Sequence, residues 1–379
     1  MGTKRTAEKF RAEFPVLDDL VHLAACSQGA LSRRLEAALT ALTGSMRERG
    51  APWESGWMDQ VERARAGFAE LIGAAPEEVA VLPSASEAAF QVASARDWSR
   101  RPGLVTTDLE FPSIAHVWLA QGADVRYAAD DGTTIDAQAY ADVLSADTSL
   151  VSVPLVCYKN GARSPVREVA DLAHARGARV FVDAYQGAGV VPVNVDDLGC
   201  DYLVAGALKY LLGLPGIAFL YARGGVPDER PPTLTGWFGR RNPFAFDPRG
   251  LDHPETARRF EVGTPAIPSA YGANAGFSLL REIDQEAAFT HVAGLVDDLA
   301  ARLTAAGETL LSPVGTAARG PMVALADDDP VALAGYLSDR RIITAPRGRA
   351  LRISLHYYTN AADIAAVTTA IADYRREVR

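Results

Sequence analysis

An aspartate and a lysine that follow two neighbouring apolar runs are the residues of this chain best suited to chemistry. Asp183 ends the run Val180–Phe181–Val182, and Lys209 comes after the run Tyr202–Leu203–Val204. Short apolar runs bounded by glycine and proline predict buried strands. A carboxylate at the end of one strand and a lysine in the turn after the next can therefore meet at one edge of a sheet.

This pair suits pyridoxal 5'-phosphate (PLP), which needs a lysine amine for its Schiff base and an acid that keeps its pyridine nitrogen protonated. The protonated ring withdraws electrons from the α-carbon of the substrate and stabilises the carbanion formed there. Taken singly, an ordinary strand-end Asp183 and a surface Lys209 would be the better interpretation. Gln186, three residues after Asp183, and the glycines that follow Lys209 argue against it.

The stretch from Val180 to Tyr221 resembles the core of the fold-type-I PLP enzymes of aminotransferase class V. That group includes cysteine desulfurases, kynureninases and isopenicillin-epimerase-like proteins, and the resemblance covers nearly the whole chain. It implies that Lys209 forms the Schiff base, that Asp183 pairs with the pyridinium and that Gln186 hydrogen-bonds the phenolic oxygen of the cofactor. It also implies an α/β fold, with a mostly parallel seven-stranded sheet in a large domain and a small α+β C-terminal domain.

The alternation of apolar runs with helical patterns also predicts a mostly parallel sheet, which binds ligands beyond the carboxyl ends of its strands. Besides the two runs already described, the predicted strands are Val79–Leu82, Leu104–Thr107, Leu150–Val156 with a break at Pro154, and Ile217–Leu220. We expect residues 1–22 to pack with the small domain, residues 23–268 to form the large PLP-binding domain, and residues 269–379 to form a connector helix and the small domain.

The residues after the strand Val79–Leu82 predict a phosphate site. Ser84, Ala85 and Ser86 stand at the start of a helical pattern, where free backbone N–H groups and the positive end of the helix dipole favour an anion. The resemblance places the PLP phosphate on Ala85 and Ser86, with help from Ser84. A plain serine N-cap is the alternative.

The phrase Glu110–Phe111–Pro112–Ser113 resembles kynureninase-type sequences in which the phenylalanine stacks on the PLP ring, where desulfurases usually have histidine. A flat aromatic face restricts the tilt of the pyridine and excludes water. Phe111 is therefore the expected stacking residue, although a core phenylalanine before a turn also fits the sequence. The resemblance further implies a polar residue over the ring, either Tyr158 or Asn160.

The phrase from Leu351 to Asn360 resembles the C-terminal motif of class V, whose arginine pairs with the α-carboxylate of the substrate. The planar fork of a guanidinium matches a carboxylate and stays charged, which suits Arg352 to this role. The resemblance also brings the loop of Ser27 and Gln28 to the mouth of the site, and we expect these two residues and Tyr158 to be substrate neighbours.

Two further segments resemble family motifs near the PLP phosphate, and one of them implies a shared active site. The phrase Gly236–Trp237–Phe238–Gly239 resembles a kynureninase-like motif whose tryptophan approaches the PLP phosphate. The segment Arg259–Pro265 resembles the class V segment that crosses the dimer interface, where Gly263 and Thr264 contact the phosphate of the neighbouring subunit. The resemblance thus implies a homodimer, and a surface loop is the alternative.

Composition excludes several other functions. The net charge of −9 without a basic run argues against nucleic acid, and no apolar run reaches the roughly 18 residues of a membrane-spanning helix. The cysteines, Cys26, Cys157 and Cys200, are far apart and form no CxxC pattern, which argues against a disulfide framework or a metal site. The polar N-terminal stretch has no signal-peptide core, so we expect a cytoplasmic protein.

Departures from the family patterns narrow the reaction. Desulfurases carry a nucleophilic cysteine just before the carboxylate-binding arginine, and this chain has none after Cys200. Kynureninases have an aromatic residue before the lysine and an aspartate after Phe–Pro–Ser, where this chain has Leu208 and Ile114. The serine that usually lies three residues before the lysine, a phosphate ligand in the family, is Gly206.

We therefore expect a PLP enzyme that acts on a small α-amino acid through an external aldimine and a quinonoid, with Lys209 as general acid and base. The first hypothesis is β-elimination of the C–S lyase type on a cysteine-like substrate, and transamination is the alternative. A non-catalytic PLP-fold protein is disfavoured because Lys209, Asp183 and Arg352 are all present. A dinucleotide-binding enzyme is disfavoured because no GxGxxG follows the first strand.

Overall fold

The structure is a computed structural model that describes residues 4–225 and 229–378, so the predicted segment 1–22 begins partly outside the described residues. The chain starts with helix α1 (Ala7–Arg11), a 3-10 turn (Pro15–Asp18) and strand β1 (Val21–His22). Two long helices follow, α2 (Arg33–Arg49) and α3 (Met58–Ile72). The side chain of Ser32 caps α2 by accepting a hydrogen bond from the N–H of Leu35.

The main sheet has seven strands within the described residues. They are β2 (Val79–Leu82), β3 (Gly103–Thr107), β4 (Asp124–Ala128), β5 (Thr148–Pro154), β6 (Arg179–Asp183), β7 (Tyr202–Gly206) and β8 (Ala218–Ala222). Their spatial order is β2-β8-β7-β6-β5-β3-β4. Only β8 runs antiparallel to its neighbours, so the sheet is mostly parallel, as predicted.

Helices cover both faces of this sheet, which explains why the residues of its inner strands are buried on both sides. One face carries α4 (Ala85–Ser94) and α5 (Pro112–Leu119). The other carries α2 and α3 together with α6 (Ala137–Val143), α7 (Val166–His174), the short α8 (Val195–Leu198) and α9 (Ile267–Leu280). The loops at the carboxyl ends of the parallel strands are left free to form a site.

The predicted connector from Ser269 to Gly307 is two helices rather than one. Helix α9 ends at Leu280, and Asp284 caps α10 (Gln285–Ala305) by accepting a hydrogen bond from Ala287 N–H at 2.9 Å. The aspartate side chain accepts a hydrogen bond from a backbone N–H that would otherwise bond within a continuous helix, so one helix ends and a new one begins here. Helix α9 packs on α2 and α3, whereas α10 packs on the C-terminal helix.

The C-terminal part is a small α+β unit. It contains β9 (Met322–Ala326), α11 (Pro330–Asp339), β10 (Ile342–Ile343), β11 (Ala345–Arg347), β12 (Ala350–Ser354) and α12 (Ala361–Val378). Strands β11, β12 and β9 form an antiparallel sheet, and β1 pairs with β10. Strand β10 begins at Ile342 because Arg341, just before it, has a left-handed backbone with φ of 60°. The domain boundaries at residues 22 and 268 stay predictions.

Among the described residues, no helix combines the length and the apolar character that crossing a membrane would require.

Candidate active site

A cavity of about 260 Å³ opens at the carboxyl ends of β5, β6 and β7. This is the edge at which parallel sheets bind their ligands. The cavity brings together eight of the residues predicted from the sequence: Ser84, Ala85, Ser86, Phe111, Tyr158, Asp183, Gln186 and Lys209. These residues come from the segments that follow five different strands, so the sheet topology is what assembles them.

Asp183 is the last residue of β6 and is almost fully buried. Its Oδ1 accepts a hydrogen bond from the N–H of Tyr185 at 2.9 Å, which fixes the plane of the carboxyl group. Burial raises the pKa of Asp183, and the Tyr185 N–H and the nearby Lys209 amine oppose that rise. A cationic partner inside the cavity would relieve the cost of burying this carboxylate.

Glu110 is a second buried carboxyl group near Asp183. It accepts hydrogen bonds from the N–H of Phe111 at 2.9 Å and from the hydroxyl of Ser152 at 2.7 Å. Burial, reinforced by the negative charge of Asp183, raises the pKa of Glu110 to about 8. Glu110 is therefore mostly protonated at neutral pH, which leaves Asp183 as the charged member of the pair.

Lys209 lies in the turn after β7, with its amine between two aromatic rings. The Nζ atom is 4.5 Å from the centroid of the Tyr185 ring and 5.5 Å from that of Phe111. Burial lowers the pKa of Lys209 to about 8, although the charge of Asp183 acts in the opposite direction. A substantial fraction of the amine is thus uncharged near neutral pH and able to attack a carbonyl group.

His356, in the C-terminal motif, hydrogen-bonds the turn that carries Lys209. The N–H of Tyr357 donates to His356 Nδ1 at 2.8 Å, so Nε2 carries the proton and donates to the carbonyl of Tyr210 at 3.0 Å. Burial lowers the pKa of His356 to about 4, which keeps the ring neutral. The residue next to Lys209 is therefore tied to the same segment that supplies Arg352.

Gln186 offers a hydrogen-bonding group to the cavity. Its Nε2 donates to the carbonyl of Cys26 at 3.1 Å, while its Oε1 is buried and has no hydrogen-bond partner among the described residues. A buried amide oxygen without a partner is costly. Because Gln186 lines the cavity, the hydroxyl group of a ligand can supply the missing hydrogen bond to its Oε1.

The start of α4 forms the anion-binding side of the cavity. Ser84 is its N-cap, and its hydroxyl accepts a hydrogen bond from the N–H of Glu87 at 3.2 Å. The serine is thus a helix cap, as the alternative prediction had it. The N–H groups of the first turn, which includes Ala85 and Ser86, have no partners within the helix and are available to a phosphate.

Arg352 lies on β12 with only 1% of its surface exposed. Its guanidinium donates to the carbonyl of Tyr158 at 2.9 Å, to the hydroxyl of Ser27 at 3.3 Å and to the carbonyl of Ala345 at 3.3 Å. These bonds fix the plane of the fork, and the charge of Arg352 is near enough to Lys209 to contribute to its lowered pKa. Gln28, predicted beside Ser27, is exposed.

Tyr158 rather than Asn160 lines the cavity. The Tyr158 ring meets Phe111 edge to face, with centroids 5.0 Å apart. The amide of Asn160 is used elsewhere: it donates to the carbonyl of Thr133, in the loop after β4, at 2.8 Å and accepts from the N–H of Ala162 at 3.0 Å. Of the two candidates, Tyr158 is the one placed to meet a ligand.

Like Arg352, Ser27 and Gln28, three further predicted residues are not among those that line this cavity. Trp237 packs in an aromatic cluster with Phe238, Phe244 and Phe246, and Gly263 and Thr264 are exposed. Their predicted contacts with a phosphate, which the family resemblance places across a dimer interface for Gly263 and Thr264, stay predictions.

The sequence reasoning assigned no role to Tyr185 or to Glu110, although both stand next to residues that it did assign. Tyr185 lies within the Asp–x–x–Gln group and lines the cavity, and Glu110 precedes Phe111. A signal for Tyr185 existed in Gly206, since the glycine leaves the space that the phenol occupies.

The residues of the cavity fit PLP group by group. Lys209 can take the aldehyde, Asp183 can face the pyridine nitrogen, and the first turn of α4 can hold the phosphate. The ring hydroxyl both donates and accepts hydrogen bonds, which suits the second amide hydrogen and the free oxygen of Gln186. Such a set at the carboxyl edge of a mostly parallel sheet defines a PLP-dependent enzyme of fold type I.

Comparison with known proteins gives the family. A family model described as aminotransferase class-V matches residues 32–367. The chain is 37% identical to the uncharacterized aminotransferase YcbU of Bacillus subtilis (strain 168), over 93% of both chains. It is 31% identical to a kynureninase of Deinococcus radiodurans, over 83% of this chain and 79% of the relative. The chain therefore belongs to the aminotransferase class-V family.

Solved structures confirm the predicted fold. A cysteine desulfurase from Thermococcus onnurineus NA1 superposes with a TM-score of 0.88 and 23% identity, over the whole length of both chains. The cystine C–S lyase C-DES, in complex with its reaction product cysteine persulfide, superposes with a TM-score of 0.87 and 24% identity, over 95% of this chain and 99% of that one. The predicted cofactor, PLP, is also confirmed, because the chain belongs to a family of PLP-dependent enzymes.

Proposed function

We propose that this enzyme catalyses β-elimination on a small cysteine-like amino acid or cysteine conjugate. The overall reaction converts the substrate and water into a thiol, pyruvate and ammonium, with cleavage of the α-carbon–hydrogen and β-carbon–sulfur bonds. Bound PLP supplies the electron sink for the α-carbon. The residues around the cavity supply the remaining requirements: a base, a carboxylate that holds the ring charge and a cation for the substrate.

Lys209 is the proposed attachment point and base. Its amine is uncharged in part near pH 8, so it can form the covalent bond to the aldehyde carbon of the cofactor. With the amine released from the cofactor, Lys209 Nζ would lie beside the α-carbon of a bound substrate and could remove its proton. Protonated in this way, the same ammonium group can protonate the departing thiolate.

Asp183 and Arg352 are the proposed electrostatic partners. The buried carboxylate of Asp183 holds the proton on the pyridine nitrogen, because burial strengthens the interaction between the two charges. Arg352 binds the α-carboxylate of the substrate with its planar fork, whose orientation is fixed by Tyr158 and Ser27. The substrate is thereby oriented with its α-carbon toward Lys209.

One observation carries the choice of β-elimination over sulfur transfer: the described residues that line the cavity include a base, Lys209, but no cysteine thiol. Cys26, Cys157 and Cys200 are all buried, and none of them lines the cavity. Burial also raises the pKa of the thiols of Cys157 and Cys200, which keeps them protonated and unreactive. β-Elimination needs no nucleophile beyond the base, whereas transfer of sulfur to an enzyme thiol does.

The cavity lining also disfavours hydrolysis of a kynurenine-like substrate. Leu109, Ile114 and Val156 make its outer wall apolar, and Asp183 is its sole carboxylate among the described residues. Ile114 occupies the position at which kynureninases carry an aspartate. A reaction that requires a second carboxylate to activate a water molecule therefore finds none among the described residues of the lining.

Transamination is the second candidate, and the relative at 37% identity that is named an aminotransferase favours it. Both reactions use Lys209, Asp183 and Arg352 in the same roles up to removal of the α-proton. They differ in the fate of the cofactor, which returns to its aldehyde form after elimination and is left as an amine after one half of a transamination.

The test is to incubate the holoenzyme with cystine, S-methylcysteine and alanine. We expect pyruvate and a thiol or persulfide from the two sulfur compounds, with the absorbance of the aldehyde form retained. Accumulation of pyridoxamine phosphate without pyruvate from S-methylcysteine would instead establish transamination. Lys209→Ala should abolish pyruvate formation, whereas Lys9→Ala, on the exposed helix α1, should leave it unchanged.

We also propose that the enzyme is a homodimer in which Gly263 and Thr264 serve the site of the neighbouring copy and Trp237 approaches the PLP phosphate. The aromatic cluster around Trp237 supports this, since Phe244 and Phe246 are 44% and 71% exposed in the single chain. A cytoplasmic location is proposed as well, because the three cysteines are unpaired, as in reducing compartments.

A further inference from the structure

The phenol of Tyr185 fills a space that Gly206 leaves open. A Cβ atom added at Gly206 would collide with Oη, Cζ and Cε2 of Tyr185, so a side chain at 206 and this phenol cannot coexist. Tyr185 also lines the cavity, and its hydroxyl forms no hydrogen bond within the described residues. The hydroxyl of Tyr185 therefore lies at the cavity without a hydrogen-bond partner among the described residues.

The register of the sheet places this phenol on the side where α4 begins. Gly206 of β7 pairs with Ala218 of β8, and Ala218 pairs in turn with Leu82 of β2. Neighbouring strands lie about 4.8 Å apart, so Gly206 is about 10 Å from the end of β2. The chain enters α4 directly after that point. The phenol and the first turn of α4 therefore line the same side of the cavity.

The connectivity of PLP decides which of its groups reaches that side. The aldehyde stands opposite the pyridine nitrogen, and the hydroxyl and the phosphomethyl group are attached to the ring carbons on either side of the aldehyde. With the aldehyde at Lys209 and the nitrogen at Asp183, these two groups lie on opposite sides. Gln186 is turned toward the N-terminal loop, where it bonds to Cys26, and Tyr185 is turned toward β7. The hydroxyl thus falls to Gln186 and the phosphate to the side of Tyr185.

We propose that Tyr185 binds the PLP phosphate, with its hydroxyl donating a hydrogen bond from the position that a side chain at residue 206 would otherwise take. Burial and the charge of Asp183 raise the pKa of Tyr185 to about 12, so the phenol is protonated and available as a donor. The inference rests on the cofactor and on Lys209 as its attachment point, and it does not depend on which reaction follows.

The first test compares PLP with pyridoxal, which lacks the phosphate, in titrations of cofactor-free protein. Tyr185→Phe removes one oxygen atom and keeps the ring, and we expect it to weaken PLP binding by about tenfold, as for a hydrogen bond to a charged group. Pyridoxal binding should not change. Tyr127→Phe, on the exposed part of β4, is the matched control and should alter neither affinity. Equal affinity for PLP in Tyr185→Phe and the unaltered protein, or an equal loss for both ligands, would overturn the proposal.

A second test moves the hydroxyl to residue 206. Tyr185→Ala alone should weaken PLP binding, and adding Gly206→Ser to it should restore most of the loss, because the vacated space then holds a serine hydroxyl. Gly206→Ser alone should weaken binding, since the new side chain displaces the phenol. A double variant that binds PLP no better than Tyr185→Ala would contradict the proposal. Normal PLP binding without pyruvate formation would count against the β-lyase proposal alone.

Discussion

Burial lowers the pKa of Lys209 by more than the charge of Asp183 raises it, and the pKa consequently falls to about 8. The rate at which cofactor-free protein attaches PLP should therefore rise with pH through about 8, because only the uncharged amine attacks the aldehyde. Asp183→Asn removes the charge that holds this pKa up, so the midpoint should move to lower pH. Stopped-flow absorbance measures the rate. A midpoint near 10.5, the ordinary value for lysine, or a midpoint unmoved by Asp183→Asn would contradict this account.

Arg352 provides a second prediction for a single residue. Arg352→Lys keeps the positive charge but loses the planar fork, so we expect KM for the amino-acid substrate to rise by about 10- to 100-fold with a smaller change in kcat. Arg349→Lys is the matched control, because Arg349 is exposed and pairs with Asp328 at the surface. Steady-state kinetics that show the same KM for Arg352→Lys and Arg349→Lys would remove Arg352 from the substrate site.

Most of the cavity lining could be predicted from single residues because the end of an apolar run in the sequence marks the end of a buried strand. Asp183, Phe111 and Ser84 each follow an apolar run, and parallel strands bring such positions to one edge. Tyr185 could not be assigned in this way, since its role depends on the register that places Gly206 under its phenol. Glu110 was not predicted because its raised pKa depends on its burial near Asp183, and no local sequence pattern indicates that proximity.

At the scale of whole elements, the buried strands were predicted closely, and the edge of the sheet was not. Strand β4 and helix α6 were missed because β4 is an edge strand with half-exposed residues, so its sequence lacks the apolar run of its neighbours. The long connector was predicted as one element because its alanines and leucines favour helix throughout. Only the cap at Asp284 divides it.

The segment that carries Gly263 and Thr264 is fixed to α3 and to β2 through the buried carboxylate of Glu261. Glu261 Oε1 accepts hydrogen bonds from the guanidinium of Arg65 and from the N–H of Val81. Glu261→Gln removes the buried partner of Arg65 and leaves it the half-exposed carboxylate of Glu62, so we expect a loss of about 3 kcal/mol in the free energy of unfolding.

Chemical denaturation measures this loss, and Glu70→Gln is its control. Glu70 pairs with Arg281 at the surface, where removal of an ion pair should cost less than about 1 kcal/mol. Equal stabilities of Glu261→Gln and Glu70→Gln would show that the buried pair does not hold the segment in place.

At the scale of the whole molecule, the shared active site predicts complementation between two inactive copies. Gly263→Trp is compatible with the fold of its own chain, because a Cβ at Gly263 meets no atom within 4 Å, but its ring should block the site of the neighbouring copy. Lys209→Ala is inactive for a different reason. A dimer with one copy of each variant contains one intact site, so coexpression should restore PLP binding and activity. Absence of any recovery, together with a monomeric mass in solution, would contradict the shared site.

The central claim is that Lys209 holds PLP, and peptide mapping after borohydride reduction tests it most directly. The chain contains Lys4, Lys9, Lys159 and Lys209, so three other lysines serve as internal controls. We expect the reduced holoprotein to carry one pyridoxyl group, on Lys209, because its amine is both buried in the cavity and partly uncharged. A pyridoxyl group found on another lysine, or on none, would contradict the account.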